Sequence, residues 1–342
     1  MVYRHILLTF NDEYTKHACV LLASLFESNK GLNGSFFIHV RCFKSQISSE
    51  SQNTLSRFCS SYNNRIEFKE LEINDIEFPN LEQVYLTRES YLRLFSFDNM
   101  PNDVDTILYL DVDILIVGDI SELFSLKFGN EVLAAVDDLP QPTEVYRRLS
   151  IPVEYTYFNS GVMVVDVSKW RKEGLIRKVT EYIRENHHTI IAHDQDVLNA
   201  LLYNRRKVLD QKYNLLTPYF EGYNKTGSGL EKVNTAKRNP RIIHFAGPIK
   251  PWDTWMNHPY WQLYWNHLKH TPYKNYRISI RKEWNLRPWP FNLMNLLHVN
   301  RSEMLRKIAI YTSEATLLVK RKIKKLHSDV LWKHKELNQQ NW

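Results

Sequence analysis

Between residues 5 and 170, short apolar runs alternate with segments of helical periodicity, and that alternation leaves few architectures open. His5 to Phe10 is an apolar run ending in Asn11-Asp12-Glu13; Lys16 to Glu27 then carries Ala18, Leu21, Leu22 and Leu25 at helical spacing. Phe36 to Phe43 reads as a second strand, Ser48 to Tyr62 as a helix and Arg65 to Leu71 as a third strand. Residues 85–97 read as helical, and Thr106 to Leu110, Val132 to Val136 and Gly161 to Val167 as strands, the last followed by a helix from Ser168. Strands separated by helical segments of about 10–15 residues require crossover connections and a mostly parallel sheet. The expected class is therefore α/β, a mixed but mostly parallel sheet flanked by helices. Ligands of such open sheets gather at the carboxyl ends of the strands.

From about residue 210 the pattern changes. Residues 210–260 read as loop-rich and aromatic, with a glycine-containing spot at 226–229 and one strand, Arg241 to Phe245. His258 to Lys269 reads as a helix rich in Trp and Tyr, and a basic linker (RPWPFNL, 287–293) leads to a helical pattern from Ser302. The expected division is a domain over 1–270 and a basic, aromatic-containing helical extension over 271–342.

The 342 residues carry 45 Lys+Arg against 38 Asp+Glu, a net charge of +7. Residues 277–342 hold 14 basic and 5 acidic groups, a balance of +9, so the preceding 276 residues stand at −2. A nucleic-acid enzyme carries its positive field over the working face, so nucleic acid is not an expected partner. The 43% hydrophobic and 13% aromatic content excludes disorder for the bulk of the chain. No run of 18 apolar residues offers a transmembrane helix. The apolar stretch within MVYRHILLTFNDEY is too short for a signal peptide. Cys19, Cys42 and Cys59, odd in number, read as buried free thiols in a reducing cytoplasm.

The segment ILYLDVDILIVGDI (107–120) drives an apolar strand into Asp111 and Asp113, after which apolar sequence resumes. Two carboxylates at that place are costly to bury without a cation. A hard divalent metal with a diphosphate beyond it answers the cost; solvated carboxylates at a strand-end turn are the alternative. Asp103-Val-Asp105 repeats the spacing but follows Pro101-Asn102 and reads as a surface turn. Phosphatases of the haloacid-dehalogenase type also use such a pair, but near the start of their domain and with Thr or Val two residues beyond. Here Leu115 stands there and the pair lies a third of the way along. Nucleotide-sugar glycosyltransferases place it centrally.

The chain resembles glycosyltransferase family 8, retaining enzymes of the GT-A fold, and within it the bacterial lipopolysaccharide galactosyl- and glucosyltransferases. The matching segments are TFNDEY (9–14), SYLRL (90–94), ILYLDVDILIVGDISELF (107–124), YFNSGVMVVDVSKW (157–170), HDQDVLNALL (193–202) and HFAGPIKPW (244–252). The resemblance implies a GT-A, Rossmann-like sheet and a Mn²⁺ site (Mg²⁺ a possible substitute) formed by Asp111, Asp113 and His244. It places Gly247 and Lys250 on the donor diphosphate, and Thr9, Asn11, Tyr14 and Val112 among the donor contacts. Asn11 and Glu13 stand where bacterial relatives have Asp and Asn. Arg93 falls near the donor sugar and phosphate, against the alternative of a helix-surface salt bridge. Asp137, Asn159, Asp194 and Gln195 are expected to form the sugar pocket, with Gln195 beneath the anomeric carbon. Asp194 could alternatively serve as a helix cap. The histidines at 187, 188 and 193 read as a solvated loop, and Trp252 as a packing residue.

The activity implied is transfer of a hexose from UDP-galactose or UDP-glucose to a glycan or glycolipid, such as lipopolysaccharide or another surface glycan. A self-glucosylating initiator resembling glycogenin, or an inactive nucleotide-sugar-binding scaffold, are the alternatives. The cluster Lys320, Arg321, Lys322, Lys324 and Lys325 beside apolar positions suits an anionic leaflet, and hence a cytoplasmic protein peripheral to the membrane; packing on protein is the alternative.

Overall fold

The computed structural model describes residues 3–32, 34–73, 89–220, 230–247, 249–252 and 258–277. The chain divides into two compact units, Met1–Pro248 with His258–Asn275, and Ile249–Asn257 with Tyr276–Trp342. The expected spot at 226–229, the linker at 287–293, the helical pattern from Ser302 and nearly all of the basic extension lie outside the described residues, as do residues 85–88.

In the first unit, β1 (Tyr3–Thr9), α1 (Thr15–Ser28), β2 (Ser35–Phe43), α2 (Ser49–Ser61), β3 (Arg65–Leu71), α3 (Glu89–Ser96) and β4 (Thr106–Leu110) follow the expected alternation. After β4 come β5 (Ile114–Ile116), β6 (Leu133–Asp137), α4 (Thr143–Arg148), β7 (Phe158–Asp166), α5 (Val167–Lys172), α6 (Leu175–Asn186), α7 (His193–Leu202) and β8 (Arg206–Val208). The region read as loop-rich holds β9 (Leu215–Leu216), α8 (Thr217–Phe220), α9 (Leu230–Arg238) and β10 (Ile242–His244), and α10 (Trp261–Leu268) closes the series.

Seven strands form the main sheet in the order β3-β2-β1-β4-β7-β6-β8. All neighbours are parallel except β7, which runs antiparallel to both β4 and β6. The fold is thus the expected mixed, mostly parallel α/β sheet. Its central strands are apolar along their length because both faces are covered. In β4, Leu108 and Leu110 join the core beneath α1, while Ile107 and Tyr109 join the core built with α3, Trp170 and α6–α7. β7 divides the same way, Val162 and Val164 to one face, Met163 and Val165 to the other. The period of two therefore assigns each side chain to a layer. α2 is capped by Ser48, whose hydroxyl accepts from the Ser51 N–H.

A second, three-stranded sheet has the order β5-β10-β9. It pairs the residues just past Asp113 with β10, Ile114 opposite His244 and Ile116 opposite Ile242. The three cysteines are buried and free, and the Asp103-Val-Asp105 segment is an exposed turn around the buried Val104.

Candidate active site

Three strand ends meet where the sheet reverses direction. β1 ends at Thr9 and β4 at Leu110, side by side and parallel, while β7 begins at Phe158 and runs back against β4. The antiparallel ladder continues one step past β4, with Asp111 N–H donating to the Gly161 carbonyl at 2.8 Å. Asp111 is thereby fixed beside Asn159, Ser160 and Gly161. On the other side, the Phe245 N–H donates to the Asp113 carbonyl at 2.9 Å, which carries β10 and its terminal His244 onto the same spot.

The result is one convergent cluster. Asp111, Asp113 and His244 each offer a ligand atom, and these atoms lie within 4.8 Å of one another. His244 Nε2 stands 3.2 Å from an Asp113 oxygen and 3.8 Å from Asp111 Oδ2. A carboxylate–carboxylate–imidazole set suits a divalent ion of intermediate hardness such as Mn²⁺. Gly161 makes the cluster sterically possible: a Cβ there would lie 2.3 Å from His244 Cε1 and 2.7 Å from Asp111 Oδ2. The backbone thus closes one side of the cluster at a distance only glycine permits. On these grounds the residues fit a divalent cation.

Arg93 is buried at 6% exposure, in the middle of α3, rather than forming a surface pair. Its guanidinium meets Asp111 at 2.9 Å and Asp194 at 3.2 Å, donates to the Ser160 carbonyl at 3.0 Å, and lies over the Tyr109 ring. Tyr109 in turn donates to Asp111 Oδ1 at 2.6 Å and meets Thr9 Oγ1 at 3.2 Å. Thr9, Tyr109, Arg93, Asp111 and Asp194 are therefore one buried polar network joining β1, α3, β4 and α7. Burial pushes the Asp194 carboxyl up to about 6, opposed by Arg93 and reinforced by Asp111.

α7 starts under strain. His193 has φ of 49°, a left-handed conformation costly for a side chain that is not glycine, and directly precedes Asp194 and Gln195. His193 is buried against the edge of Tyr91, which corrects its expected place in a solvated loop; His187 and His188 are exposed. The correction is local: His193 opens a helix whose apolar face packs into the core, whereas the other two follow the last turn of α6.

Gln195 is held at both ends of its amide. Its Oε1 accepts from the Ser160 N–H at 3.0 Å and its Nε2 donates to Asp138 Oδ2 at 2.7 Å. Asp138 faces Gln195 and Asn159, and burial raises its carboxyl despite hydrogen bonds from the Leu139 N–H, Gln195 and Asn159. Asp137 turns away to Arg206, at 2.8 Å, and Thr156. An irregularity in the β6–β7 register between Ala135 and Asp137 decides which of the two adjacent aspartates faces inward. Nothing in an Asp-Asp pair alone distinguishes them.

The remaining expected contacts are placed as follows. Asn11 Nδ2 donates to Glu89 at 3.3 Å, and its Oδ1 is buried without a hydrogen bond among the described residues. Tyr14 is partly buried, edge-on to His17, and Val112 packs against the core beside α1. Gly247 has φ of 101°, the left-handed region that favours glycine. Lys250 and the buried Trp252 belong to the second unit. Tyr109, Asp138 and Asn214 were not anticipated. Asn214 is an amide set within the apolar run KYNLLTPYF, the one sequence signal it carries.

The sequence model of "Glycosyl transferase family 8" matches residues 5–256. General stress protein A of Bacillus subtilis (strain 168) is 30% identical over 273 residues, 78% of this chain and 93% of that protein. Lipopolysaccharide 1,2-glucosyltransferase of Escherichia coli (strain K12) is 29% identical over 259 residues, 75% of each chain. Lipopolysaccharide 1,3-galactosyltransferase of Salmonella typhimurium is 30% identical over 195 residues, covering 55% of this chain and 56% of that protein. Among solved structures, the galactosyltransferase LgtC superposes with a TM-score of 0.70 at 20% identity, covering 78% of this chain and 96% of that one. That likeness concerns the fold. With the family model spanning most of the chain and the cluster of Asp111, Asp113 and His244 assembled at the strand ends, the chain belongs to glycosyltransferase family 8.

Proposed function

We propose that this glycosyltransferase is a retaining, Mn²⁺-dependent hexosyltransferase that moves galactose or glucose from UDP to a hydroxyl of a glycan or glycolipid, lipopolysaccharide among them. The observation that carries this reading is the convergence of Asp111, Asp113 and His244 beside Asn159, Asp194 and Gln195. Relatives named for 1,2-glucosyl and 1,3-galactosyl transfer support a hexose donor and leave both sugars in play.

Asp111, Asp113 and His244 would hold the cation. When bound, it supplies a Lewis acid that neutralises charge on the departing diphosphate. Gly247 allows close backbone approach to the same phosphates. Thr9, Asn11 and Tyr14 take the uridine end of the donor. Asp194, steadied by Arg93 and the Ser160 hydroxyl, and Asn159 take the sugar hydroxyls. Gln195 sits beneath the anomeric carbon, its amide clamped between the Ser160 N–H and Asp138. An amide is a poor nucleophile, so double displacement through Gln195 is disfavoured. Front-face substitution follows, in which the leaving phosphate oxygen takes the proton of the acceptor hydroxyl and the donor's α linkage is retained.

The test is a donor screen reading UDP release from UDP-galactose and UDP-glucose with and without Mn²⁺. Asp113→Asn is expected to abolish transfer and donor hydrolysis together, and Gln195→Ala to retain measurable transfer. Full activity of Asp113→Asn would refute the metal assignment. The same screen with UDP-glucose alone, followed by intact mass, detects self-glucosylation. The surplus of positive charge in 277–342 supports association with an anionic cytoplasmic leaflet. Among the described residues no helix is long and apolar enough to cross a membrane. Co-sedimentation of the full-length protein with anionic and neutral vesicles tests that association; equal retention on both would refute it.

A further inference from the structure

One hydrogen-bonded chain runs from the backbone of β7 to the imidazole of His244, and its direction can be read without locating a single hydrogen. The Gly161 N–H is a backbone donor, so the Asn159 side-chain atom 3.0 Å from it is the oxygen, Oδ1. That same oxygen meets the Asn214 side chain at 2.8 Å, which must therefore present its NH₂ there. The other end of the Asn214 amide is then its carbonyl, and it lies 3.0 Å from His244 Nδ1. An amide oxygen only accepts, so Nδ1 carries the proton. Neutral His244 is left with its lone pair on Nε2, the atom that faces Asp113 and Asp111.

We propose that Asn214 is a positioning residue for the cation site. It fixes His244 in the tautomer that offers Nε2 to a divalent ion, and it ties that histidine to Asn159 in the sugar pocket. The proposal rests on the reading of Asp111, Asp113 and His244 as cation ligands. Three features mark the amide as built for this role. Asn214 is fully buried, with both ends of its side chain satisfied, so it cannot reorient without orphaning a group. Its backbone is braced as well, the N–H donating to the Gln211 carbonyl and the carbonyl accepting from Gln211 Nε2. It also stands next to β9, which pairs with β10 and so moves with His244. Outer-shell partners of this kind typically alter metal affinity by about 10–100-fold when removed.

The two ends of the amide have separable tasks, and that makes the proposal testable. Asn214→Asp keeps an oxygen for Nδ1–H but replaces the donor to Asn159 with a second acceptor. Asn214→Ala removes both. Manganese titrations of the full-length protein, followed by calorimetry or by the electron paramagnetic resonance of free Mn²⁺, are expected to show about 10–100-fold weaker binding for Asn214→Ala. Asn214→Asp should keep wild-type manganese affinity and bind UDP-sugar more weakly in the presence of Mn²⁺. Imidazole ¹⁵N spectra, with His244 assigned through His244→Asn, should show Nδ1 protonated in the wild type and in Asn214→Asp. Wild-type manganese affinity in Asn214→Ala, with affinity lost in Asp113→Asn, would overturn the proposal and leave the metal site standing. Unchanged affinity in Asp113→Asn would instead overturn the metal site itself. Should Asn214→Ala fail to fold, Asn214→Asp decides: loss of manganese affinity there overturns the role of the amide oxygen.

Discussion

Gly161→Ala is the substitution whose consequence can be worked most directly from distances. The added Cβ would lie 2.3 Å from His244 Cε1, 2.9 Å from His244 Nδ1 and 2.7 Å from Asp111 Oδ2. Carbon atoms are comfortable at about 3.5–4.0 Å, so the imidazole must retreat by more than about 1 Å. It cannot do so freely, because Asn214 holds Nδ1 and the antiparallel pairing of β10 with β5 holds the backbone. Asp111 is held as well, by Tyr109, Arg93 and the Gly161 carbonyl. The expected result is a displaced ligand rather than an unfolded chain. Misplacement of a site group by about 1 Å can cost on the order of 100-fold, which is about 2.8 kcal/mol at 1.4 kcal/mol per decade. Overpacking costs about 1–3 kcal/mol of stability, a fall in Tm of roughly 2–4 °C per kcal/mol for a domain approaching this size. Calorimetric Mn²⁺ titration, UDP release and thermal melting should therefore separate: affinity and turnover collapse, while melting stays cooperative and moves by at most about 12 °C. Gly31→Ala is the control, since a Cβ there meets nothing within 4 Å. Wild-type manganese affinity and turnover in Gly161→Ala would refute the reasoning.

Removing the cation of the buried network should be expensive: Arg93→Met leaves Asp111 and Asp194 facing one another, with an expected loss of about 3–5 kcal/mol by chemical denaturation. A loss no greater than that of a surface Arg→Met change would show the network to be unimportant. Stability of the metal-free protein should depend on Asp194 with a definite sign. Its folded pKa of about 6 lies above the unfolded carboxylate value, so the folded state binds the extra proton between about pH 4 and 6. Its contribution is present below about pH 4 and is lost as pH rises through about 6. Unfolding free energies across that window should decline less steeply for Asp194→Asn; identical slopes would contradict the assignment. Asp138→Asn should lower transfer by about 10-fold or more by weakening the clamp on Gln195. Asp137→Asn, which meets Arg206 at the sheet edge, should leave kcat near that of the wild type.

The amino-acid sequence alone determined the alternation of strands and helices, because apolar periodicity is a local property and each run is long enough to declare its period. It also singled out Asp111 and Asp113 as a candidate cation pair, because they interrupt an apolar stretch where carboxylates need a reason to be. What it left open depends on register and on long-range contact. β5 and β9 are three and two residues long, too short for any period to appear, and although Arg241 to Phe245 reads as a strand, only its pairing with β5 brings His244 to Asp113. Which aspartate of the 137–138 pair turns inward was decided by an irregularity in the β6–β7 ladder, since a one-residue shift exchanges the two faces of a strand. Arg93 could have been a surface residue of a short helix until α3 packed it beneath Asp111 and Asp194. Asn214 was one amide in an apolar run until the fold placed Gly161 and Asn159 behind it and His244 in front, and so gave its two ends different tasks. Local pattern specifies what each segment is; only packing specifies what each side chain faces, because the two partners of Asn214 lie 55 and 30 residues away in sequence.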